Sequence, residues 1–482
     1  MMKRIFFLVF SSVISTGLFA QAHPMWTDLM HSDISVFDFI NEMNSAWPQR
    51  PTQRGQGYKP LERFKWLMET HADENGKMLN GRETLELWNS LKNYTGERSL
   101  TGNWQPLGPM LDGVTTRSNI DGVGRMACIA FHPTDENILL VGTPAGGIWK
   151  SIDGGAHWTT STDQLPTLGV SSIAFNPYDP NVVYAGTGDR DAGDSPGMGV
   201  LRSDDGGDTW NFVNTGISTR TVGAIIVCTD QANSIVIATD LGIRRSIDGG
   251  ATWTQASTNT FEYKDLAQHP TEPNILYATG AGRFYRSEDF GLTWTQSNSG
   301  VTNGTRMCVA VNAAEPDAVY LLRTNTYAYT GTFKSTDKGL TFTSMSTTPN
   351  IMGWSADGSS TGGQAWYDLC LAGDDLNANV IYCGGIRLKK SIDGGTTWQD
   401  INSNFVHVDQ HEMAINPHNH DLYVCNDGGL YRYVNNTEWQ DISNGIVNGQ
   451  IYRMGQSPHD GAKALTGFQD NGTAEFQGAR WV

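Results

Sequence analysis

Basic residues are scarce in this chain of 482 residues. Lysine and arginine number 33 against 50 aspartates and glutamates, the formal net charge is −17, and no stretch is rich in Lys or Arg. Phosphate groups bind to basic surfaces, so this composition argues against nucleic acid and against anionic membranes as partners. An acidic surface suits a sugar, a peptide or a cation better.

Cysteines are also few, and none of the six shows a C-x-x-C spacing, which argues against a zinc site of cysteines. They are Cys128, Cys228, Cys308, Cys370, Cys383 and Cys425. Most stand within apolar, strand-like patterns. Two alternatives remain open: disulfide bridges, which an exported protein permits, or small buried core residues, which we favour.

Long apolar runs are absent after the N-terminus. Lys3 and Arg4 precede a mostly apolar run over 5–19, and an A-x-A cleavage site follows at 20–22. This pattern is typical of a secretory signal peptide, residues 1–22, because the run is shorter than the roughly 20 residues that span a bilayer. The sequence therefore predicts a protein that is secreted or held at the cell surface, has no membrane span, and is a monomer.

Residues 23–101 carry a different pattern from the rest of the chain. Apolar side chains recur at helical spacing over 36–47, 61–68 and 85–91. Near Gly102 the helical periodicity gives way to short alternating strands. We predict a short helical N-terminal segment that is separable from the domain that follows.

From Trp104 onward the chain repeats. A segment of the form Ser-x-Asp-x-Gly-x-x-aromatic, which we call the box, occurs six times. The boxes lie at 151–158, 203–210, 246–253, 287–294, 335–342 and 391–398, and they start 52, 43, 41, 48 and 56 residues apart. That period is typical of one four-stranded propeller blade per repeat.

The residues of the box have a structural explanation. The aspartate can accept hydrogen bonds from nearby backbone N–H groups in a tight turn, glycine supplies a positive φ, and the aromatic ring fills the space between strands. We therefore interpret the box aspartates as parts of a folding staple and not as catalytic groups.

Two further units extend the repeat beyond the sixth box. A degenerate seventh unit covers 424–439, and an eighth starts at Ile451 and reaches 472. The prediction is an all-β propeller of four-stranded blades with Asp-box turns, seven or more in number, over 102–482. Either the segment at Trp104 supplies a closing strand, or the sequence is truncated within a longer chain, which we favour.

At its boxes the sequence resembles Asp-box propellers of the BNR (sialidase) and sortilin type. It resembles, more distantly, the propellers of xyloglucan-degrading glycoside hydrolases, over roughly 104–480. The segments 124–125, 143–151, 188–194 and 467–472 resemble exported Bacteroidetes-type repeat proteins, which often leave the cell by type IX secretion. This resemblance implies a propeller and says little about activity.

The enzymes within this resemblance imply residues that can be checked. Sialidases carry an early Arg-Ile-Pro element, whereas Arg125 stands before Met126 and Ala127. Xyloglucan hydrolases use two carboxylates, and the resemblance places the base in a Thr-Asp-x-Gly-Gly-like element. Here that element reads Thr143-Pro144-Ala-Gly-Gly. The carboxylate is missing, which argues against this activity.

A candidate metal site lies in the seventh unit. If 407–411 form a strand, His407, Asp409 and His411 share one face, because side chains alternate along a strand. Two imidazoles and a carboxylate could ligate a transition metal, and Asp427 and Asp470 could join them from adjacent loops as ligand-binding groups. The alternative, which we favour, is a hydrogen-bonded polar cluster that ties blades together.

Two loops provide further candidate sites. Asp189, Asp191 and Asp194 place three carboxylates in one glycine-containing loop, which suits Ca²⁺ as a possible cofactor, although a solvated acidic loop is equally compatible. Trp354 and Trp366 lie in a glycine-rich insertion within the longest interval between boxes, where a ligand surface could be placed.

Taken from the sequence, the function is that of an exported binding propeller that recognises a glycan or a protein, without assigned catalysis. The alternative is a glycoside hydrolase whose carboxylates stand at positions the sequence does not identify. A pair of carboxylates facing a groove would favour the alternative.

Overall fold

The computed structural model describes residues 35–46, 81–92 and 122–477, with isolated positions at 65, 72, 73, 75–77 and 108. Within the long range it leaves out 194, 218–219, 230–232, 298 and 461–462. The predicted signal peptide, the segment at Trp104 and residues 478–482 lie outside the described residues. Contacts between Cα atoms divide the chain into two compact units, residues 1–84 and 85–482.

Two helices are described in the N-terminal region, α1 (Val36–Ala46) and α2 (Gly81–Lys92). Ser35 stands at the N-cap of α1, where its hydroxyl accepts a hydrogen bond from the N–H of Asp38 (3.1 Å). Val36 and Phe39 are buried. Helix formation in two of the three stretches agrees with the helical spacing, whereas the separability of this segment stays a prediction.

The remaining elements form seven four-stranded antiparallel sheets, or blades, with their strands in sequence order. Blade 1 contains β1 (Cys128–Phe131), β2 (Leu139–Gly142), β3 (Ile148–Ser151) and β4 (Thr159–Thr160). Blade 2 contains β5 (Val170–Phe175), β6 (Val183–Thr187), β7 (Val200–Ser203) and β8 (Asn211–Phe212). Blade 3 contains β9 (Val222–Val227), β10 (Ile235–Thr239), β11 (Gly242–Ser246) and β12 (Thr254–Gln255). Blade 4 contains β13 (Tyr263–Gln268), β14 (Leu276–Gly280), β15 (Arg283–Ser287) and β16 (Thr295–Gln296).

The last three blades follow the same order. Blade 5 contains β17 (Arg306–Val311), β18 (Val319–Thr324), β19 (Tyr329–Ser335) and β20 (Thr343–Ser346). Blade 6 contains β21 (Cys370–Gly373), β22 (Ile381–Gly384), β23 (Leu388–Ser391) and β24 (Gln399–Asp400). Blade 7 contains β25 (Gln410–Ile415), β26 (Leu422–Asn426), β27 (Gly429–Val434) and β28 (Glu438–Asp441). An eighth sheet has three strands, β29 (Ile451–Gln456), β30 (Lys463–Phe468) and β31 (Thr473–Gln477).

The seven blades form a closed ring. The first strand of each blade packs against the first strand of the next, and β25 of blade 7 packs against β1 of blade 1. One apolar cluster seals this last junction, with Tyr423 and Leu430 against Ile129 and Trp158. The all-β propeller prediction is confirmed. Blade 7 carries its own fourth strand, and the eighth unit forms a separate three-stranded sheet.

The box of blade 2 shows how the repeat holds each blade together. Ser203 donates to Asp205 (2.7 Å), and Asp205 accepts from the N–H and the hydroxyl of Thr209 (2.8 and 2.6 Å). Although burial opposes the change, the hydrogen bonds from Thr209 and Ser203 lower the pKa of Asp205 to about 2. Gly207 has a φ of 96°, and Trp210 is only 9% exposed. The carboxylate is saturated with structural donors, as a staple requires.

All six cysteines are free and buried. The interpretation that they are small core residues is therefore confirmed over disulfide bridges. Burial raises the pKa of the Cys128 thiol to about 12, so this side chain remains a neutral apolar group. Among the helices of the described residues, none is long and apolar enough to cross a membrane.

Candidate functional site

Polar residues gather at the end of the ring where the first strands begin. Because the strands of a blade are antiparallel, the turns between second and third strands and the connections between blades lie at this same end. We call it the loop face and define it by segments 143–147, 188–199, 347–369, 401–409 and 427–428. The turn from β30 to β31 also reaches it, since Asn471 donates to the Asp427 carbonyl (2.9 Å).

His411 lies at the centre of this face, near the start of β25. Its Nδ1 is 3.0 Å from Asp191 of blade 2, and its Nε2 is 2.8 Å from Asp427 in the β26–β27 turn. Burial alone would lower the pKa of His411, but hydrogen bonds to the two carboxylates raise it above its ordinary value. An imidazolium shared by two carboxylates satisfies both ring nitrogens.

Two arginines complete the surroundings of these carboxylates. Arg306 donates to Asp191 (2.8 Å), and this cation, with the hydrogen bond from His411, holds the pKa of Asp191 well below its usual value despite burial. Arg125 forms a buried ion pair with Asp189 and donates to the hydroxyl of Tyr367 (2.9 Å). The Tyr367 hydroxyl in turn lies 3.1 Å from Asp427.

A further ion pair joins the β6–β7 turn to the first strand of blade 7. Arg190 donates to Glu412 (2.5 Å) and to the His411 carbonyl (2.9 Å). The neighbouring axial cavity, about 30 Å³ and therefore large enough for about one water, is lined by charged groups that include Asp265 and Lys264. Burial raises the pKa of Asp265 to about 6.

Asp368 and Asp409 form a different kind of pair. Both are buried, and the Oδ1 atom of each has no hydrogen-bond partner among the described residues. Burial, together with the neighbouring carboxylates, raises the pKa of both well above the usual value. Around them, four cationic side chains are paired with four carboxylates. The cations are Arg125, Arg190, Arg306 and His411, and the carboxylates are those of Asp189, Asp191, Glu412 and Asp427.

The predicted metal ligands occupy this cluster, but not as three side chains of one strand. Strand β25 begins at Gln410, and Asp409 has a φ of 65°, in the left-handed region. The expectation that 407–411 form a strand is therefore wrong, because the chain turns before His411. Both nitrogens of His407 contact carbonyl oxygens, those of Val408 (2.9 Å) and Asp470 (3.0 Å). His411 ties blade 2 to blade 7, as in the alternative of a polar cluster, and metal binding stays a prediction.

The predicted calcium loop belongs to the same cluster. Asp189 and Asp191 both face cationic donors, from Arg125, Arg306 and His411, and Asp194 lies outside the described residues. The two described carboxylates are thus not the open acidic loop that a hard cation would find ready. Calcium binding stays a prediction.

One group of three possible metal ligands converges elsewhere in the described part of the chain, at His269, Glu272 and Asp317. Nδ1 of His269 accepts from the N–H groups of Thr271 (3.2 Å) and Glu272 (3.0 Å). This tautomer places the proton on Nε2, which faces Asp317 at 3.4 Å. The histidine therefore caps this turn through Nδ1.

Trp354 and Trp366 lie in the insertion between β20 and β21, on the loop face. Their residues are 61% and 39% exposed. Trp366 precedes Tyr367, with ring centroids 5.4 Å apart, so it borders the polar cluster. Of the other two predicted ligand-binding residues, Asp470 is exposed and Asp427 is buried.

Sequence reasoning missed several members of the cluster. Arg190, Arg306, Tyr367 and Glu412 were not predicted as site residues. Arg306 begins the first strand of blade 5 and Glu412 lies within the first strand of blade 7, and a first strand lines the axis of a propeller. Comparing the charged positions of all first strands could therefore have identified these two residues, whereas nothing local marks Tyr367.

No family model matches the chain. A curated xyloglucanase from Hypocrea jecorina is 31% identical over 100 residues, 19% of this chain and 12% of that protein. A xyloglucanase from Acetivibrio thermocellus is 26% identical over 198 residues, 38% of this chain and 19% of that protein. The chain thus spans only a small part of these curated relatives.

Among solved structures, a GH74 xyloglucanase from Xanthomonas campestris superposes with a TM-score of 0.57 at 18% identity, covering 74% of this chain and 60% of that chain. An ancestral GH74 enzyme gives a TM-score of 0.55 at 16% identity, covering 79% of this chain and 55% of that chain. At these identities the likeness shows the propeller fold.

Proposed function

We propose that this protein is an exported Asp-box propeller that binds a polysaccharide of the xyloglucan class on its loop face. The observation that carries the proposal is the presence of two exposed indoles, Trp354 and Trp366, in one insertion of that face. Two large aromatic rings exposed in one insertion are candidates for contact with a partner, and an aromatic face can cover the apolar face of a sugar ring. The choice of polysaccharide rests on the relatives, whose names are those of xyloglucanases.

The insertion is ordered by its own contacts, which supports a binding role. The Asn350 side chain donates to the carbonyls of Ser360 (2.9 Å) and Gly362 (3.1 Å), and Ile351 and Met352 are buried beneath it. A loop that is already fixed before binding loses little conformational entropy when the ligand arrives. Both indoles therefore project from a preorganised segment.

Glycoside hydrolysis is a second candidate. The observation that favours it is that burial raises the pKa of Asp368 and Asp409, whereas, despite burial, the hydrogen bond from His411 lowers the pKa of the neighbouring Asp427, since such hydrolases pair a protonated and an ionised carboxyl group. All three are buried. The turn in which the resemblance places a catalytic base carries Pro144 and Ala145 instead. These two features favour binding without turnover.

The experiment measures the affinity of the full chain for soluble xyloglucan by calorimetry, and the release of reducing ends in the same mixtures. We expect binding without turnover. Trp366→Ala and Trp354→Ala should each weaken affinity by about tenfold, because truncation of a central aromatic contact costs on the order of 1–2 kcal/mol. Tyr178→Ala is the matched control, since Tyr178 is an exposed aromatic residue in the β5–β6 turn at the opposite end.

Three results would contradict the proposal. Absence of binding to xyloglucan would refute the ligand class. Equal loss of affinity in Tyr178→Ala and Trp366→Ala would refute the loop face as the site. Release of reducing ends that disappears in Asp409→Asn would establish the hydrolase in place of the binding protein.

A further inference from the structure

Tyr367 is anchored twice, by its main chain and by its side chain. Its carbonyl accepts a hydrogen bond from Arg306 (2.9 Å), and its hydroxyl contacts Asp427 (3.1 Å) and Arg125 (2.9 Å). Trp366, the residue before it, is one of the exposed indoles, and the Trp366 carbonyl also accepts from Arg306 (2.8 Å). The contacts that fix Tyr367 therefore also fix the backbone of Trp366.

These contacts form a closed ring of hydrogen bonds. Arg306 bonds to Asp191, Asp191 to His411, His411 to Asp427, and Asp427 to the Tyr367 hydroxyl. The bond from Arg306 to the Tyr367 carbonyl closes the ring. The members come from blades 2, 5 and 7 and from the insertion, so the ring joins four separate parts of the chain across the axis.

This closed set of hydrogen bonds is well suited to hold a surface segment in one position. Asp191, His411 and Asp427 are buried, and hydrogen bonds between charged groups are strong where water is excluded. The Tyr367 ring also packs edge-on against His411, with centroids 4.8 Å apart, and lies under Arg125 at 5.5 Å. Removal of the hydroxyl alone breaks the closed set of hydrogen bonds, while the contacts of the aromatic side chain with His411 and Arg125 remain.

We propose that Tyr367 is a positioning residue for ligand binding, which fixes Trp366 on the loop face by closing this ring. The inference rests on the proposed function, because Trp366 is taken as a contact of the polysaccharide. Tyr367 acts through Trp366: its hydroxyl is directed at Asp427, in the interior, while the neighbouring indole is exposed.

The test is Tyr367→Phe, measured in two ways on the full chain. The first measurement is amide hydrogen exchange without ligand, where we expect faster exchange confined to residues 366–369. The second is affinity for soluble xyloglucan, where we expect a loss of about fivefold, because one net hydrogen bond is worth about 1 kcal/mol. Tyr382→Phe is the matched control, since Tyr382 is a buried tyrosine that also bonds to an aspartate, Asp374 (3.1 Å), at the opposite end.

A double-mutant cycle separates positioning from a general loss of stability. If Tyr367 acts through Trp366, the fivefold effect of Tyr367→Phe should disappear in the Trp366→Ala background, since the two changes then remove the same contribution. A general structural effect would be additive and would appear in Tyr382→Phe as well.

The outcomes distinguish the two proposals. If wild-type protein does not bind xyloglucan, the proposed function fails, and exchange at 366–369 still reports whether Tyr367 fixes the segment. If wild-type protein binds and Tyr367→Phe leaves both exchange and affinity unchanged, the positioning role is refuted. Additive effects of Tyr367→Phe and Trp366→Ala on affinity would also refute it.

Discussion

Asp265 allows a quantitative test of the electrostatics of the axis. The residue lies on β13 after a break in strand register, and its carboxylate accepts the N–H of Val309 in the next blade (2.9 Å). We consider Asp265→Asn, which keeps an oxygen to accept this hydrogen bond and removes the charge. The variant should be more stable than the wild type at neutral pH, because burial disfavours the ionised carboxyl group at this position.

The magnitude follows from the pKa. Burial raises the pKa of Asp265 from 3.8 to about 6, although the Val309 hydrogen bond and the charges of Arg190 and Arg306 act in the opposite direction. That difference corresponds to about 3 kcal/mol. The Asp265 side chain is only partly buried. Because solvent screens its charge, we expect Asp265→Asn to raise the free energy of unfolding by about 1–3 kcal/mol.

The sign of the pH dependence is fixed by the raised pKa. Between about pH 4 and pH 6 the folded wild type binds more protons at Asp265 than the unfolded chain does, so its stability falls as pH rises through this window. Asp265→Asn does not show this loss of stability, because it has no carboxyl group to titrate at this position. The difference between the two proteins should therefore be near zero at about pH 4, open up to about pH 6, and stay constant above it.

The assay is urea-induced unfolding of both proteins across this pH range, with Asp163→Asn as a control at an exposed aspartate. A variant that is less stable than the wild type at neutral pH would refute the reasoning, because the charge would then be stabilising. A difference that does not change between about pH 4 and pH 7 would show that the carboxyl group does not titrate in this window.

Two further substitutions test the packing and the central cluster. Trp210→Ala should lower stability by about 3–5 kcal/mol, since it leaves a cavity among the buried residues of blades 1 and 2; a melting curve like that of the wild type would show that the ring is not packed there. His411→Asn should cost about 3–5 kcal/mol, because Asp191 and Asp427 lose a shared buried donor. His420→Asn, at a partly exposed ion pair, should cost about 1 kcal/mol or less, and equal losses at the two histidines would contradict the assigned burial.

The propeller was predictable because its determinants are local and repeated. Each box is a turn of eight residues, such as Ser203–Trp210, whose glycines and serine hydrogen bond are local features. The same turn occurs six times in the sequence. Six copies of the same turn identify the repeat from the sequence alone. The degenerate blade 7, which lacks the box, still shows its strands at 422–434 through alternation and through the glycine at 429.

The central cluster was only partly predictable, because its contacts join distant parts of the chain. Asp191 and His411 are 220 residues apart, and Arg125 and Tyr367 are 242 residues apart. The sequence drew attention to both loops separately, as a calcium loop and as a metal-binding strand. The sequence could not show that Asp191 of the first loop would contact His411 of the second, because this contact forms only when the propeller closes.

The charge distribution at the loop face also bears on the choice of ligand. The chain carries a net charge of −17, yet Asp189, Asp191 and Asp427 in the central cluster are buried and paired with cationic side chains. A cationic peptide would gain little from a face whose carboxylates are already paired and buried. A neutral polysaccharide needs no net charge and is held by apolar faces and single hydrogen bonds. The two exposed indoles beside carboxylates that are already paired therefore favour a neutral glycan over a charged partner.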